Sequence, residues 1–468
     1  MDSLPLTTEV PAVGQERKTP LTLVGALCAL LAYLCTLSSS GSESSMSISV
    51  LLGLGALASV LTLLDLRIGL GLLIFSIGIS PEFEAMGVSN LRMEDFLLPV
   101  ILMGWLFRSI AWNEKFIPSN LKLPLILTFL LSAVSSMHNS IYSELNLTSC
   151  LFRMGKLLEY FLIFVVTVNI VQKKKDLTFF IYLMPIVSAL VGVQGIFQAA
   201  QSQDRVSGPM GETANILGGY YVLHICLALG LVVYKVRHRA LMALVIAVII
   251  IPLVFTKSRT SYVSLLVSLL AMFAARRTIW TGLVLALSAL AVLSSSDVTE
   301  RFLTLFGVFQ GNAPSSLVMR VKGWAAFLDW LPNAPFMGHG LGNVALGAFD
   351  SEYVRVIFEL GLLGLVLFFW LFGVVLSLSL RLNRQTRTPE FQGFALGVFG
   401  ATVALLVHSI GATTFTTIRT TEPFFFATGL LYAINWMQQS HNRHEDDLPS
   451  EMPPAHFHRS AAALGAES

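Results

Sequence analysis

Apolar runs, repeated along almost the whole chain, limit the fold more than any motif does. They lie at about 21–37, 47–64, 66–80, 96–111, 123–137, 151–171, 177–199, 215–234, 240–256, 259–275, 278–294, 353–380, 391–410 and 422–437. A bilayer core takes about 20 helical residues, so the ends of the shorter runs shift by several positions. The count of spans is about fourteen. Of the 468 residues, 54% are hydrophobic and only 12% charged, and the mean hydropathy is +0.72. Such a chain is expected to be all-α, a polytopic transmembrane helical bundle in contact with membrane lipid. The net charge of +2 offers no broad field for nucleic acid. The first twenty residues are polar, with Pro5, Pro11 and Pro20, and predict no cleavable signal peptide.

Lysine and arginine set the direction of the spans. Alternate connections carry Arg17 and Lys18; Arg67; Arg108, Lys115 and Lys122; Lys173, Lys174 and Lys175; Lys235, Arg237 and Arg239; Arg276 and Arg277; and Arg381, Arg384 and Arg387. The other connections carry few. The pattern predicts two cytoplasmic termini. It divides the chain into a cytoplasmic tail (1–20), N-terminal spans (21–199), central spans (200–293), one large extracytoplasmic loop (294–352), C-terminal spans (353–437) and a disordered cytoplasmic tail (438–468).

Several chemistries find no support. Cys28, Cys35, Cys150 and Cys226 are scattered, without zinc spacing or a disulfide framework. The tail histidines His441, His444, His456 and His458 read as part of a solvated segment. No Walker motif, nucleophile elbow or zinc helix is present, so neither a cofactor nor a metal is expected. The glycine patches GLGALA (53–58) and GFALG (393–397) lie within spans. Small residues there are expected to let helices approach closely.

Basic residues on the outward side break the orientation rule and need a reason. They are Arg92, Arg153, Lys156, Arg205, Lys257, Arg259, Arg301, Arg320, Lys322, Arg355 and Arg419. A buried arginine costs about 2.5–3.5 kcal/mol on insertion scales, which favours pairing with an anion. Arg259, in TKSRTSYVSLLV, sits at a tight turn with almost no loop. It either snorkels or holds a fixed anion fork. Arg320 and Trp324 share a face of an amphipathic stretch with Phe327 and Leu328, beside Lys322. Arg205 opens RVSGPMGETANILGGYY, where Thr213 or Asn215 is placed to cap the next helix and create an anion site. His339 lies in GHGLG, and Asp350, Glu352 and Glu359 surround the mouth of the next span. His339, Asp350 or Glu352 has the chemistry to accept a hydroxyl proton. Equally, Asp350 is placed to cap the helix and Glu359 to pair with an arginine.

The order Ser258-Arg259, a long outward loop, Arg320, Trp324, Pro335, Gly338-x-Gly340-x-Gly342, Asp350-Ser351-Glu352-Tyr353 and Glu359-x-Gly361-x-x-Gly364 resembles the O-antigen ligase and Wzy-type polysaccharide polymerase superfamily. The resemblance covers roughly residues 200 to 410. It implies a GT-C-like glycosyltransferase of the bacterial inner membrane, independent of metal. The implied donor is a glycan on undecaprenyl diphosphate, and the implied partners are a flippase and a chain-length co-polymerase. On this likeness Arg259 and Arg320, with Arg205 and Lys322, hold the diphosphate. Trp324 and Tyr353 stack on sugar, and Glu352, Asp350 or His339 is the base. Ligases carry a His-Asn pair where this chain has Asp350-Ser351. That departure favours an exopolysaccharide, O-antigen or capsule polymerase over transfer to lipid A core. A lipid-linked oligosaccharide flippase is the rival from another class, expected to show charges within the N-terminal spans and symmetric halves.

Overall fold

The computed structural model describes residues 48–79, 83–85, 88–113, 116–142, 147–201, 205–208, 213–276, 282, 315–343 and 349–446. The expected span at 21–37, nearly all of that at 278–294, Arg301 and the tail beyond 446 lie outside the described residues. Thirteen α-helices are described. They are α1 (Ile48–Leu64), α2 (Leu66–Ile79), α3 (Met93–Ala111), α4 (Lys122–Tyr142), α5 (Leu147–Ile170), α6 (Lys174–Ala200), α7 (Ala214–Val233), α8 (Arg239–Phe255), α9 (Arg259–Ala275), α10 (Ser315–Leu328), α11 (Glu352–Gln385), α12 (Pro389–His408) and α13 (Ile418–Asp446). One small departure from all-α is an antiparallel hairpin between Phe83–Ala85 and Val88–Leu91, just before α3. Helix α13 runs past the boundary expected at 437.

Five helices are long and apolar enough to cross a membrane: Lys122–Ser140, Lys174–Ala200, Ala214–Val233, Glu352–Gln385 and Pro389–His408. Others, such as Arg239–Phe255 and Arg259–Ala275, are apolar but have 17 residues each. A helix of that length is about 25 Å long, short of a core of about 30 Å. The coarse expectation of a helical bundle therefore holds, while about fourteen full spans are not reached among the described residues. Large apolar side chains stand exposed on outer helix faces, including Leu64, Phe107 and Ile110. In a bilayer these are the faces that meet lipid.

The centre of the bundle is α7, 94% of whose apolar window is buried. It packs on α12 through glycine. A Cβ on Gly230 would lie 2.6 Å from the Gly397 nitrogen, and one on Gly397 would lie 2.7 Å from the Leu227 Cα. No side chain fits between these backbones, which is the role expected of the 393–397 patch. Gly55 of the other patch meets nothing within 4 Å.

Two breaks in helix position the site. Lys257, with φ of 51°, turns α8 into α9 within Thr256–Ser258, as short a connection as the sequence suggested. Ser258 caps α9 by accepting the Ser261 N–H at 3.4 Å. In α11, Gly361 has φ 67° and ψ −165° and splits the helix. The loop 335–342 docks at that split. The N–H groups of His339 and Gly340 donate to the carbonyls of Phe358 (2.7 Å) and Glu359 (3.0 Å), and the Leu362 N–H donates to the Pro335 carbonyl (2.9 Å). The two glycine motifs, read separately in the sequence, thus form one joint.

Candidate functional site

A cavity of about 860 Å³ opens among α4, α5, the first half of α11 and the turn 413–418. Among the described residues, its lining carries four cations, Arg92, Arg153, Lys156 and Arg355, against one carboxylate, Glu352. The rest is largely apolar, with Phe161, Phe349, Leu360, Phe368, Phe372 and Phe425 prominent. Helix α5 supplies Arg153, Lys156, Leu157, Tyr160 and Phe161, whose spacing puts them on one face. The result is a largely apolar pocket with four cations in its wall.

The cations are not equivalent. Arg355 is enclosed, and its two terminal nitrogens donate to Glu352 Oε1 and Glu359 Oε2. The second oxygen of Glu352 accepts the Phe415 N–H at 3.2 Å, and that of Glu359 accepts the Gly342 N–H at 3.0 Å. Spacing of i−3 and i+4 stacks all three side chains on one side of α11. The glycine loop, held by Ser136 and Asn139 of α4, therefore also fixes the acid–arginine–acid clamp. Lys156 pairs with Asp95 and, at 2.8 Å, with Glu159. Arg92 lies 3.7 Å from Glu94. Arg153 lines the cavity, is partly exposed and has no ion-pair partner among the described residues.

The arginines singled out in the sequence collect at an adjoining turn. Arg205 Nε donates to the Thr256 carbonyl at 3.0 Å. Its Nη2 lies 3.5 Å from Asn215 Oδ1. Arg259 opens α9 at the same turn. Arg320 Nη1 donates to the Gly411 carbonyl at 3.2 Å. A Cβ on Gly411 would sit 2.9 Å from Thr260 Oγ1 and 3.4 Å from Arg320 Nη1, so Arg320 adjoins the first turn of α9. A buried relay braces this corner. Ser261 Oγ bonds Ser258 Oγ at 2.8 Å and faces His408 Nε2 at 3.3 Å, while His408 Nδ1 meets Thr414 Oγ1 at 2.9 Å. The Glu352 N–H donates to the Ser409 carbonyl at 2.9 Å, tying the corner to the cavity. Arg205, Arg259 and Arg320 do not line the cavity, and Lys322 is exposed. Thr213 is the N-cap of α7 but makes no side-chain capping bond.

The candidate bases differ in access. Glu352 has both oxygens occupied, as above. His339 Nε2 lies 3.0 Å from the Trp330 carbonyl, and its ring packs on Phe358. Asp350 is 55% exposed, with an oxygen 3.8 Å from Arg320 Nε. Ser351, not Asp350, is the N-cap of α11. The Trp324 ring packs against Phe327, Phe349, Val354 and Phe358. Tyr353 donates to the Leu406 carbonyl at 2.7 Å and stacks on Phe369. Both rings are thus engaged within the protein.

Sequence reasoning had Arg92, Arg153, Lys156 and Arg355 among its anomalous outward cations but did not join them into a site. The signal was present in Glu352-x-x-Arg355-x-x-x-Glu359 and in Arg153-x-x-Lys156, which each define one helix face. No protein-family model matches this sequence, and nothing among curated proteins matches it either.

Proposed function

We propose that this chain is a membrane glycosyltransferase, a GT-C-like polysaccharide polymerase of about fourteen spans in the bacterial inner membrane. It joins undecaprenyl-diphosphate-linked oligosaccharide units into exopolysaccharide, O-antigen or capsule on the outer face. The observation that carries this reading is the 860 Å³ cavity, largely apolar, with Arg153 and three acid-paired cations in its wall. A prenyl diphosphate has the matching form, an anionic head on a long apolar tail. Arg153 holds the diphosphate from the cavity side, and Arg259 and Arg320, with Arg205, reach it from the adjoining corner outside the lining and stabilise charge that grows on it during transfer. An acceptor hydroxyl attacks the anomeric carbon. The new C–O bond forms as the bond to diphosphate breaks, and Asp350, the accessible carboxylate beside Arg320, takes the hydroxyl proton. Glu352 and Glu359 hold Arg355 in place.

The test is purified protein in lipid with a prenyl-diphosphate oligosaccharide and no added metal. Longer glycans are expected from the wild type. Arg259→Ala, Arg320→Ala and Arg153→Ala are each expected to remove long chains at normal protein level. Full-length product from all three would defeat the proposal.

A transport reading draws on a different observation. Glu94 and Glu422 are fully buried carboxyls within the bundle, and neither Glu422 oxygen has a hydrogen-bond partner among the described residues. Buried ionisable groups of this kind are common in transporters. Translocation of a labelled lipid-linked oligosaccharide without chain growth would favour that reading.

A further inference from the structure

A second cavity, of about 1130 Å³, lies well away from the site described above. It is framed by the α1–α2 turn, the end of α3, the end of α5 and the start of α6. All the connections that border it belong to the set that lysine and arginine assign to the cytoplasm. We propose that this cavity binds an anionic phospholipid from the leaflet on that face.

Charge is the first argument. The acids that line the cavity, Asp65 and Asp176, are both turned on Arg67. Arg67 Nε and Nη2 donate to Asp65 at 3.0 and 2.8 Å, and Nη1 donates to Asp176 at 3.1 and 3.2 Å. This lock fastens the start of α6 to the α1–α2 turn. Among the described residues, the remaining charged residues of the lining are Arg108 and Lys173, both exposed. Arg108 lies in the last turn of α3, and Lys173 is the N-cap of α6. Among the described residues the lining thus carries three cations against two carboxylates, and both carboxylates are bound to Arg67.

The wall is the second argument. Leu63, Leu64, Met103 and Phe107 line the cavity and are 62–73% exposed, with values of 62%, 72%, 62% and 73%. They form an open apolar flank that a free phosphate has no use for and an acyl chain does. Trp112, 68% exposed, stands at the same end, where an indole suits the membrane–water boundary. Cations at head-group level above an apolar flank are the features by which pockets between helices recognise anionic lipid heads.

The test uses the purified full chain in mild detergent. Native mass spectrometry and thermal shift would compare phosphatidylglycerol with phosphatidylcholine of the same acyl chains, and with glycerol phosphate. Phosphatidylglycerol is expected to bind and to raise the melting temperature, and the other two are not. Arg108→Gln combined with Lys173→Gln is expected to weaken phosphatidylglycerol by roughly tenfold or more. Phe107→Asp, which leaves both cations, is expected to weaken it too. Equal binding of the two phospholipids by the wild type overturns the proposal, whether or not the variants fold. So does an unchanged preference in the double variant, and glycerol phosphate bound as tightly as the lipid would mark a soluble-phosphate site instead. None of these outcomes depends on glycosyl transfer.

Discussion

Arg355 has a carboxylate on either side of it along one face of α11, and all three groups are buried. Removing the cation leaves two carboxylates facing each other without their partner. Arg355→Met is therefore expected to destabilise the protein by about 3–5 kcal/mol, seen as a lower melting temperature in detergent. Adding Glu352→Gln and Glu359→Gln to that variant is expected to restore much of the loss, because no uncompensated charge then stays buried. A single variant as stable as the wild type would show that the clamp contributes nothing. At this scale the sequence was partly legible. Glu359 was expected to pair with an arginine, and it does. Arg355 went unassigned because its neighbours were weighed one at a time as acids, whereas helical spacing makes them a unit. The access of each candidate base was not legible at all. It depends on Phe415 and Trp330 backbone groups that reach the site only through tertiary packing.

The broken helix is the element on which the site turns. Gly361 occupies a backbone region that is essentially closed to other residues, and a Cβ on Gly338 would lie 2.5 Å from the backbone of Glu359 and Leu360. Gly361→Ala is expected to cost on the order of 1–3 kcal/mol and to loosen the clamp. Gly373→Ala, in the regular part of the same helix with nothing within 4 Å, is expected to stabilise by about 0.5–1 kcal/mol. Melting temperatures of the two variants moving in the same direction would contradict this account. The glycine spacings were visible in the sequence, but their partnership was not. Residues 338 and 361 lie on opposite sides of the polar Asp350 segment, and apolar periodicity carries no information about what a loop docks against.

For the whole molecule, the direction of the spans is the strongest statement still open to measurement. Single cysteines placed by Asp350→Cys and Lys174→Cys, in a chain with its four native cysteines replaced, are expected to label oppositely. A membrane-impermeant reagent on intact cells lacking an outer barrier should reach position 350 and not position 174. Labelling of both positions, or of 174 alone, would reverse the map. Composition alone made the helical, membrane-crossing class legible. It fixed the number of spans less well, because runs such as 240–256 and 259–275 form helices shorter than a bilayer core. A row of apolar residues records burial without recording whether lipid or protein does the burying.

The split in α11 also bears on how the chain is built. Carbonyls of Phe358 and Glu359 that a continuous helix would satisfy are instead satisfied by a segment translated earlier. Until that segment folds back, the entering span carries bare peptide groups that hydrocarbon tolerates poorly. Biogenesis of this half of the protein is thus tied to the folding of the connection before it. An insertion between residues 335 and 342 should be met as an assembly defect rather than as a silent change in a loop.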